Sequence, residues 1–198
     1  MINSTTTATV KTTTDINELR RETQKIQKNG APFMLASVIL WSLIAVIRIL
    51  PLALYTQNLL TFCCATLLIP LSFMFSKILG ADIFRKTDNP INKLGFLCTM
   101  NQVLYLLIVM WAFSKNPEVM VMLFAMVFGA HLLPYSWVYL SKTYLVMSIV
   151  LTLGSLIVCS IFGSVVMCIF VVICQVVTST LLLIECRKNE AQNKTAGL

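Results

Sequence analysis

Carboxylates are missing from every long apolar stretch of this sequence: all eight Asp and Glu fall in tails, loops or helix ends. A proton relay through intramembrane carboxylates has no members, which argues against a cation pump. Charge of either sign is scarce, at 12% of 198 residues, against a hydrophobic fraction of 58%. Soluble domains are roughly half apolar and about a quarter charged, so with a mean hydropathy of +0.84 the chain reads as a membrane protein. Its length allows one domain, with no separate catalytic module beside the spans. A single histidine leaves no second imidazole for a metal. HExxH, GxSxG, a Walker loop and paired intramembrane aspartates are also absent, and Ser155 and Ser164 lack the glycine-rich setting of a membrane serine protease. The sequence therefore predicts a non-enzyme, with no catalytic residue, metal or cofactor.

Two further features are less informative than they look. The seven cysteines, at 63, 64, 98, 159, 168, 174 and 186, form no CxxC, and all but Cys186 lie within apolar runs, so they read as small hydrophobes. The formal charge of +7 comes from basic residues at helix ends, not from a face interleaved with aromatics. That pattern argues against nucleic acid as a partner.

In chain order, residues 1–14 hold seven threonines and no apolar period, and read as a disordered Ser/Thr-rich tail. Residues 15–30 form an amphipathic cytosolic helix: Asp15 and Glu18 make a capping-box start, Ile16, Leu19, Thr23 and Ile26 form one stripe, and Gly30 stops it. Arg20, Arg21, Lys25 and Lys28 flank that stripe and suit either an anionic membrane surface or the solvated side of a helix packed on the bundle. Residues 31–188 hold six apolar runs, at about 33–50, 57–77, 94–113, 117–139, 144–162 and 164–185, each near the ~20 residues a spanning helix needs. Backbone polar groups cannot go unpaired in lipid, so the expected fold is an all-α, six-helix transmembrane bundle. Asn89-Pro90 and Asn116-Pro117-Glu118 mark two helix starts, and Gly163-Ser164 marks a tight uncharged turn. Residues 189–198 read as a cytosolic tail.

Lys and Arg set the expected orientation. Positions 11, 20, 21, 25, 28, 77, 85, 86, 93, 142, 187, 188 and 194 lie on one side of such a bundle, and Arg48 and Lys115 lie on the other. Both termini are thus expected in the cytoplasm, on a multi-pass protein of the cell membrane. A faint echo between Pro70-Leu71-Ser72-Phe73 and Pro134-Tyr135-Ser136-Trp137 admits two readings, repeated two-helix units or the usual interfacial aromatics.

The candidate site is a polar layer near the cytoplasmic side. At ~1.5 Å of rise per residue, His131 sits roughly 12 Å in, Asn101 and Gln102 roughly 10 Å, and Gln175 roughly 15 Å. Cys98, Asn101, Gln102 and Tyr105 share one helical face, His131 and Tyr135 another, and Cys168, Gln175, Thr178 and Ser179 a third. Pro134 withholds an N–H from the carbonyl of Ala130 and predicts a kink beside His131; Pro70 predicts another in the second run. His131 is either a ligand-binding or proton-exchanging imidazole, or a neutral ring bonded to Tyr135, Asn101 or Gln102. Arg48 and Glu118 are candidates for an ion pair at the opposite side.

Glu18-Leu19-Arg20, Lys28-Asn29-Gly30 before Pro32-Phe33, Asp82-Ile83-Phe84, and Gly129-Ala130-His131 with Leu133-Pro134-Tyr135 resemble a family of small, uncharacterised, six-span bacterial membrane proteins. The resemblance covers nearly the whole chain after the tail and implies a bacterial cytoplasmic membrane, with no established activity or catalytic residues. The functional expectation is binding or passage of a small solute at His131, Asn101, Gln102, Tyr135 and Gln175, the bilayer and that ligand being the partners. The alternative is a non-transporting accessory or sensor protein acting through its basic N-terminal helix.

Overall fold

The computed structural model describes residues 3–83 and 88–195, with side chains described over 15–83 and 88–191. Phe84, Arg85 and Lys86, used above in the motif and the charge count, lie outside the described residues. Among the described residues the chain is all-α, without strands. The helices are α1 (Asn3–Gln27), α2 (Ala31–Ile49), α3 (Leu54–Thr66), α4 (Leu68–Leu79), α5 (Pro90–Lys115), α6 (Met120–Ala130), α7 (Leu133–Val138) and α8 (Lys142–Thr195). A 3-10 turn, Lys28–Gly30, joins α1 to α2. Five helical segments of the described chain are long and apolar enough to cross a membrane: Asp15–Ile49, Leu54–Leu79, Pro90–Lys115, Met120–Val138 and Lys142–Ala191.

The last of these is not straight. Gly163 sits at φ 84° and ψ 175°, a conformation that glycine alone adopts freely, and there the chain turns back on itself. Ser141 and Thr143 both donate to the Glu185 carboxylate, at 2.7 and 2.6 Å. Along one unbroken helix, the 42 residues between Thr143 and Glu185 would hold them roughly 60 Å apart. The 142–162 and 164–195 arms of α8 are therefore an antiparallel hairpin.

Three other local features follow from single residues. Pro70 has no N–H for the carbonyl of Thr66, so the run read as one helix over 57–77 divides into α3 and α4 at Leu67, whose N–H turns to Cys64 O at 2.9 Å. Asn89 caps α5, its side chain accepting from the Ile91 N–H at 2.9 Å. The expected start at Asn116-Pro117 requires correction. Asn116 ends α5 by bonding Ala112 O at 2.8 Å, residues 117–119 form a turn, and α6 begins at Met120. At that turn the Asn58 side chain donates to the Pro117 carbonyl at 2.8 Å.

The core lies where α2 and α6 pack against the α8 hairpin. Trp41, Ile44, Val121, Leu151, Met167 and Val171 are fully buried there, and Trp41 packs its ring on Phe124 and Phe128 at 5.4 and 5.8 Å. Outward faces are equally apolar: Leu104, Trp111, Ile161 and Phe162 are all more than half exposed, as suits a lipid solvent. Between helices in lipid, association rests on close packing and polar contacts. Gly129 fits that requirement, since a Cβ there would meet Leu151 Cβ and Thr152 N at 2.8 Å.

Candidate functional site

His131 and Leu132 form the turn between α6 and α7. Pro134 lies in the first turn of α7 and cannot donate to Ala130, so the helix re-forms around a missing bond: His131 N–H reaches Val127 O at 3.1 Å and Leu132 N–H reaches Gly129 O at 3.1 Å. His131 Nδ1 lies 2.7 Å from the carbonyl of Phe128. A carbonyl only accepts, so Nδ1 carries the proton and Nε2 presents a lone pair. The half-buried imidazole is held between the rings of Phe128 and Tyr135, at 5.4 and 5.7 Å.

From His131 an aromatic column runs toward α1. Tyr135 stacks on Tyr139 at 5.8 Å with the planes 15° apart, and both rings contact Tyr144 of α8, at 6.1 and 5.7 Å. Each hydroxyl is tied to a different element. Tyr135 shares a 2.6 Å hydrogen bond with Thr99 of α5 and donates to Gly95 O at 3.2 Å. Tyr139 donates to Gln27 Oε1 at 2.6 Å, and Tyr144 to the Asn29 carbonyl at 2.7 Å. The column thus joins α1, α5, α7 and α8.

α1 closes this end of the bundle. Gln24 donates to Tyr139 O at 2.9 Å, Asn89 to Leu19 O at 2.9 Å, and the Asp82 N–H to Ile26 O at 2.9 Å. Lys28 pairs with Glu190 of α8 at 3.4 Å. The turn beneath α1 depends on Gly30, at φ 67°, where a Cβ would come within 3.0 Å of Tyr144 Oη and 3.1 Å of Tyr139 Cε2. Beside it the Asn29 carboxamide is wholly buried, and neither its Nδ2 nor its Oδ1 has a hydrogen-bond partner.

The four basic residues of this region differ in setting. Arg20 bonds Asn17 Oδ1 at 2.9 Å and the Trp137 carbonyl at 2.7 Å, and partial burial lowers its pKa from the ordinary value. Lys28 carries the ion pair, while Arg21 and Lys25 are exposed.

The sequence-derived site residues do not all converge. His131 and Tyr135 touch. Gln102 is half-buried on the inward stripe of α5, two turns before the buried Val109, whereas Asn101 is turned about 80° from that stripe and is exposed. Gln175 is fully buried, and its Oε1 accepts from Ser37 of α2 at 2.9 Å. No hydrogen bond among the described residues joins Asn101, Gln102 or Gln175 to His131. Sequence reasoning missed Thr99, Tyr139, Tyr144, Gln27 and Asn29. The spacing 131, 135, 139 was a visible helical stripe; Tyr144 and Asn29 offered no local signal.

No curated protein and no solved structure matches the chain. Among family models, that of a family of unknown function, DUF7010, matches residues 16–185. With that much of its length matched, the chain belongs to the DUF7010 family of unknown function.

Proposed function

We propose that this chain is a multi-pass protein of the cell membrane, crossing six times with both termini cytoplasmic, that binds or passes a small solute at His131. The observation that carries the reading is the tautomer: Nδ1 is committed to Phe128 O at 2.7 Å, and among the described residues Nε2 has no hydrogen-bond partner. The Ala130 carbonyl, deprived of its donor by Pro134, adds an acceptor next to it. Two neighbouring acceptors favour a solute that donates hydrogen bonds, such as an amine, amide or alcohol. Six crossings are supported by the fold-back at Gly163, which gives each arm of α8 its own passage, and by the thirteen basic residues that such a topology collects on one side.

The second reading, an accessory or sensor protein, draws on Arg21 and Lys25, which are exposed on the docked α1. Its working surface would be that outer face of the helix.

Native mass spectrometry of protein released from mild detergent separates the two. Wild type is compared with His131→Ala and with His131→Phe, the latter keeping a ring between Phe128 and Tyr135. A small molecule carried by wild type and lost from both variants at matched folding supports the solute site. Identical lipids on all three proteins, with the variants merely melting earlier, sinks it in favour of the second reading.

A further inference from the structure

The other end of the bundle carries a buried cation. Arg48, in the last turn of α2, is only 6% exposed. Its Nη2 donates to Asn58 Oδ1 and its Nη1 to Gln57 Oε1 at 3.4 Å. Both amides are neutral, and both spend their own N–H groups on backbone: Asn58 on Pro117 O at 2.8 Å, Gln57 on Leu50 O at 3.0 Å. They are thereby fixed as acceptors, one edge of a holder for the guanidinium. Glu118, which the sequence offered as a partner, is exposed and does not pair with Arg48; Asn58 and Gln57 bond the guanidinium instead. The one ion pair among the described residues, Lys28 with Glu190, lies at the far end of the bundle.

A guanidinium has five N–H donors, and a buried charge without a counter-charge is expensive. The carbonyl end of α2 offsets part of that cost and no more. Nε of Arg48 is buried without an acceptor. The two arms of α8, which carry Cys159 and Cys168, pack on α2. One turn from Cys159, the fully buried Ser155 hydroxyl also has no hydrogen-bond partner. Arg48 Nε and the Ser155 hydroxyl are therefore two buried donors without an acceptor, on α2 and α8, helices that pack on each other.

We infer that Arg48 binds an oxyanion of the phosphate class, either the free ion or the phosphodiester of a lipid headgroup. The guanidinium offers Nε–H and a further Nη–H as a fork suited to two oxygens of such a group. Its position at the end of a helix long enough to cross a membrane puts it at headgroup depth, where phosphate is the prevailing anion. This site is separate from His131 and shares no residue with it.

The test uses the full chain in a non-ionic detergent, with sodium phosphate compared against sodium chloride at equal ionic strength. Wild type should gain about 5–10 °C in Tm once phosphate exceeds its Kd about 100-fold. Arg48→Gln should lose that gain, and Lys142→Ala, at an exposed position with no binding role, should keep it. In parallel, all three proteins are released from nanodiscs containing phosphatidylglycerol and weighed by native mass spectrometry. Phosphatidylglycerol retained by wild type and lost by Arg48→Gln, with no phosphate effect, assigns the anion to the headgroup. A wild type that neither shifts with phosphate nor retains the lipid overturns the inference whether or not the variant folds. So does an Arg48→Gln protein that keeps the wild-type response.

Discussion

The guanidinium of Arg20 lies 4.3 Å from the centre of the Trp137 indole and donates its Nε–H to the carbonyl of the same residue at 2.7 Å. One residue of the N-terminal helix thus grips the end of α7 twice. The charge that composition offers to a lipid surface is, at this position, used inside the protein. α1 is consequently a lid on the aromatic column, held by side chains that reach α5, α7 and α8.

Removing that grip should loosen the lid. Arg20→Ala is expected to cost about 1–2 kcal/mol, below the sum of a charged hydrogen bond and a cation–π contact because the site is partly exposed. Amide hydrogen exchange over 15–27 should accelerate. Arg21→Ala, on the exposed face, should stay within about 0.5 kcal/mol of wild type. Equal effects from the two arginines would contradict the docked geometry.

Two tyrosine hydroxyls can be ranked. Tyr144 satisfies the carbonyl of Asn29, which is 0% exposed, so Tyr144→Phe leaves a buried acceptor and should cost about 1–3 kcal/mol. Tyr139 bonds Gln27, a half-buried side chain that can turn to water. Tyr139→Phe should therefore cost less, about 0.5–1 kcal/mol. Thermal melts of the two variants in one detergent give the order directly.

Glycines separate by what surrounds them. In Gly129→Ala the new methyl meets the Thr152 backbone nitrogen at 2.8 Å, and backbone cannot step aside, so a loss of about 1–3 kcal/mol is expected. Gly95 has nothing within 4 Å of its Cβ position and lies inside α5. Gly95→Ala should stabilise by about 0.5–1 kcal/mol through helix propensity. A destabilised Gly95→Ala would show that α5 packs against something at that face.

Gln175 tests the difference between a site and a packing contact. Its Nε2 is buried with no acceptor, and Ser37 keeps a second bond, to Met34 O at 2.7 Å, if the amide is removed. Gln175→Leu should therefore be neutral, or stabilising by about 1 kcal/mol, in a chemical denaturation series. A loss of more than about 2 kcal/mol would assign the amide a partner of its own.

The hairpin of α8 gives a topological prediction. If each arm crosses the membrane, Ser164→Cys and Asn116→Cys will react with an impermeant maleimide from the same face, in a background cleared of other reactive thiols. Protection of Ser164→Cys from both faces would leave 142–191 as one crossing and sink the six-crossing reading.

Part of the site was readable from local spacing. The His131 and Tyr135 stripe, the break beside Pro134 and the cap at Asn89 depend on residues within a turn or two of one another. Asn101 shows the limit of that kind of reading. Its depth could be counted, yet only 11% of the most apolar window of α5 is buried, so most of its circumference faces outward and depth alone does not bring a side chain to a partner. Gln175 was counted to a similar level and is buried, but against Ser37 of α2.

Run length and apolarity are local properties, and from them alone follows an all-α chain with helices long and apolar enough to cross a bilayer, since backbone left unpaired in lipid would be costly. The partner of each face is a non-local property. Tyr144 meets the Asn29 carbonyl across 115 residues, and Arg20 meets Trp137 across 117, contacts that exist only once the turn at Gly30 lays α1 over the bundle. Tertiary packing, not periodicity, therefore chose which polar groups of this chain stand together and left His131 Nε2 and Arg48 Nε without an acceptor or donor of their own.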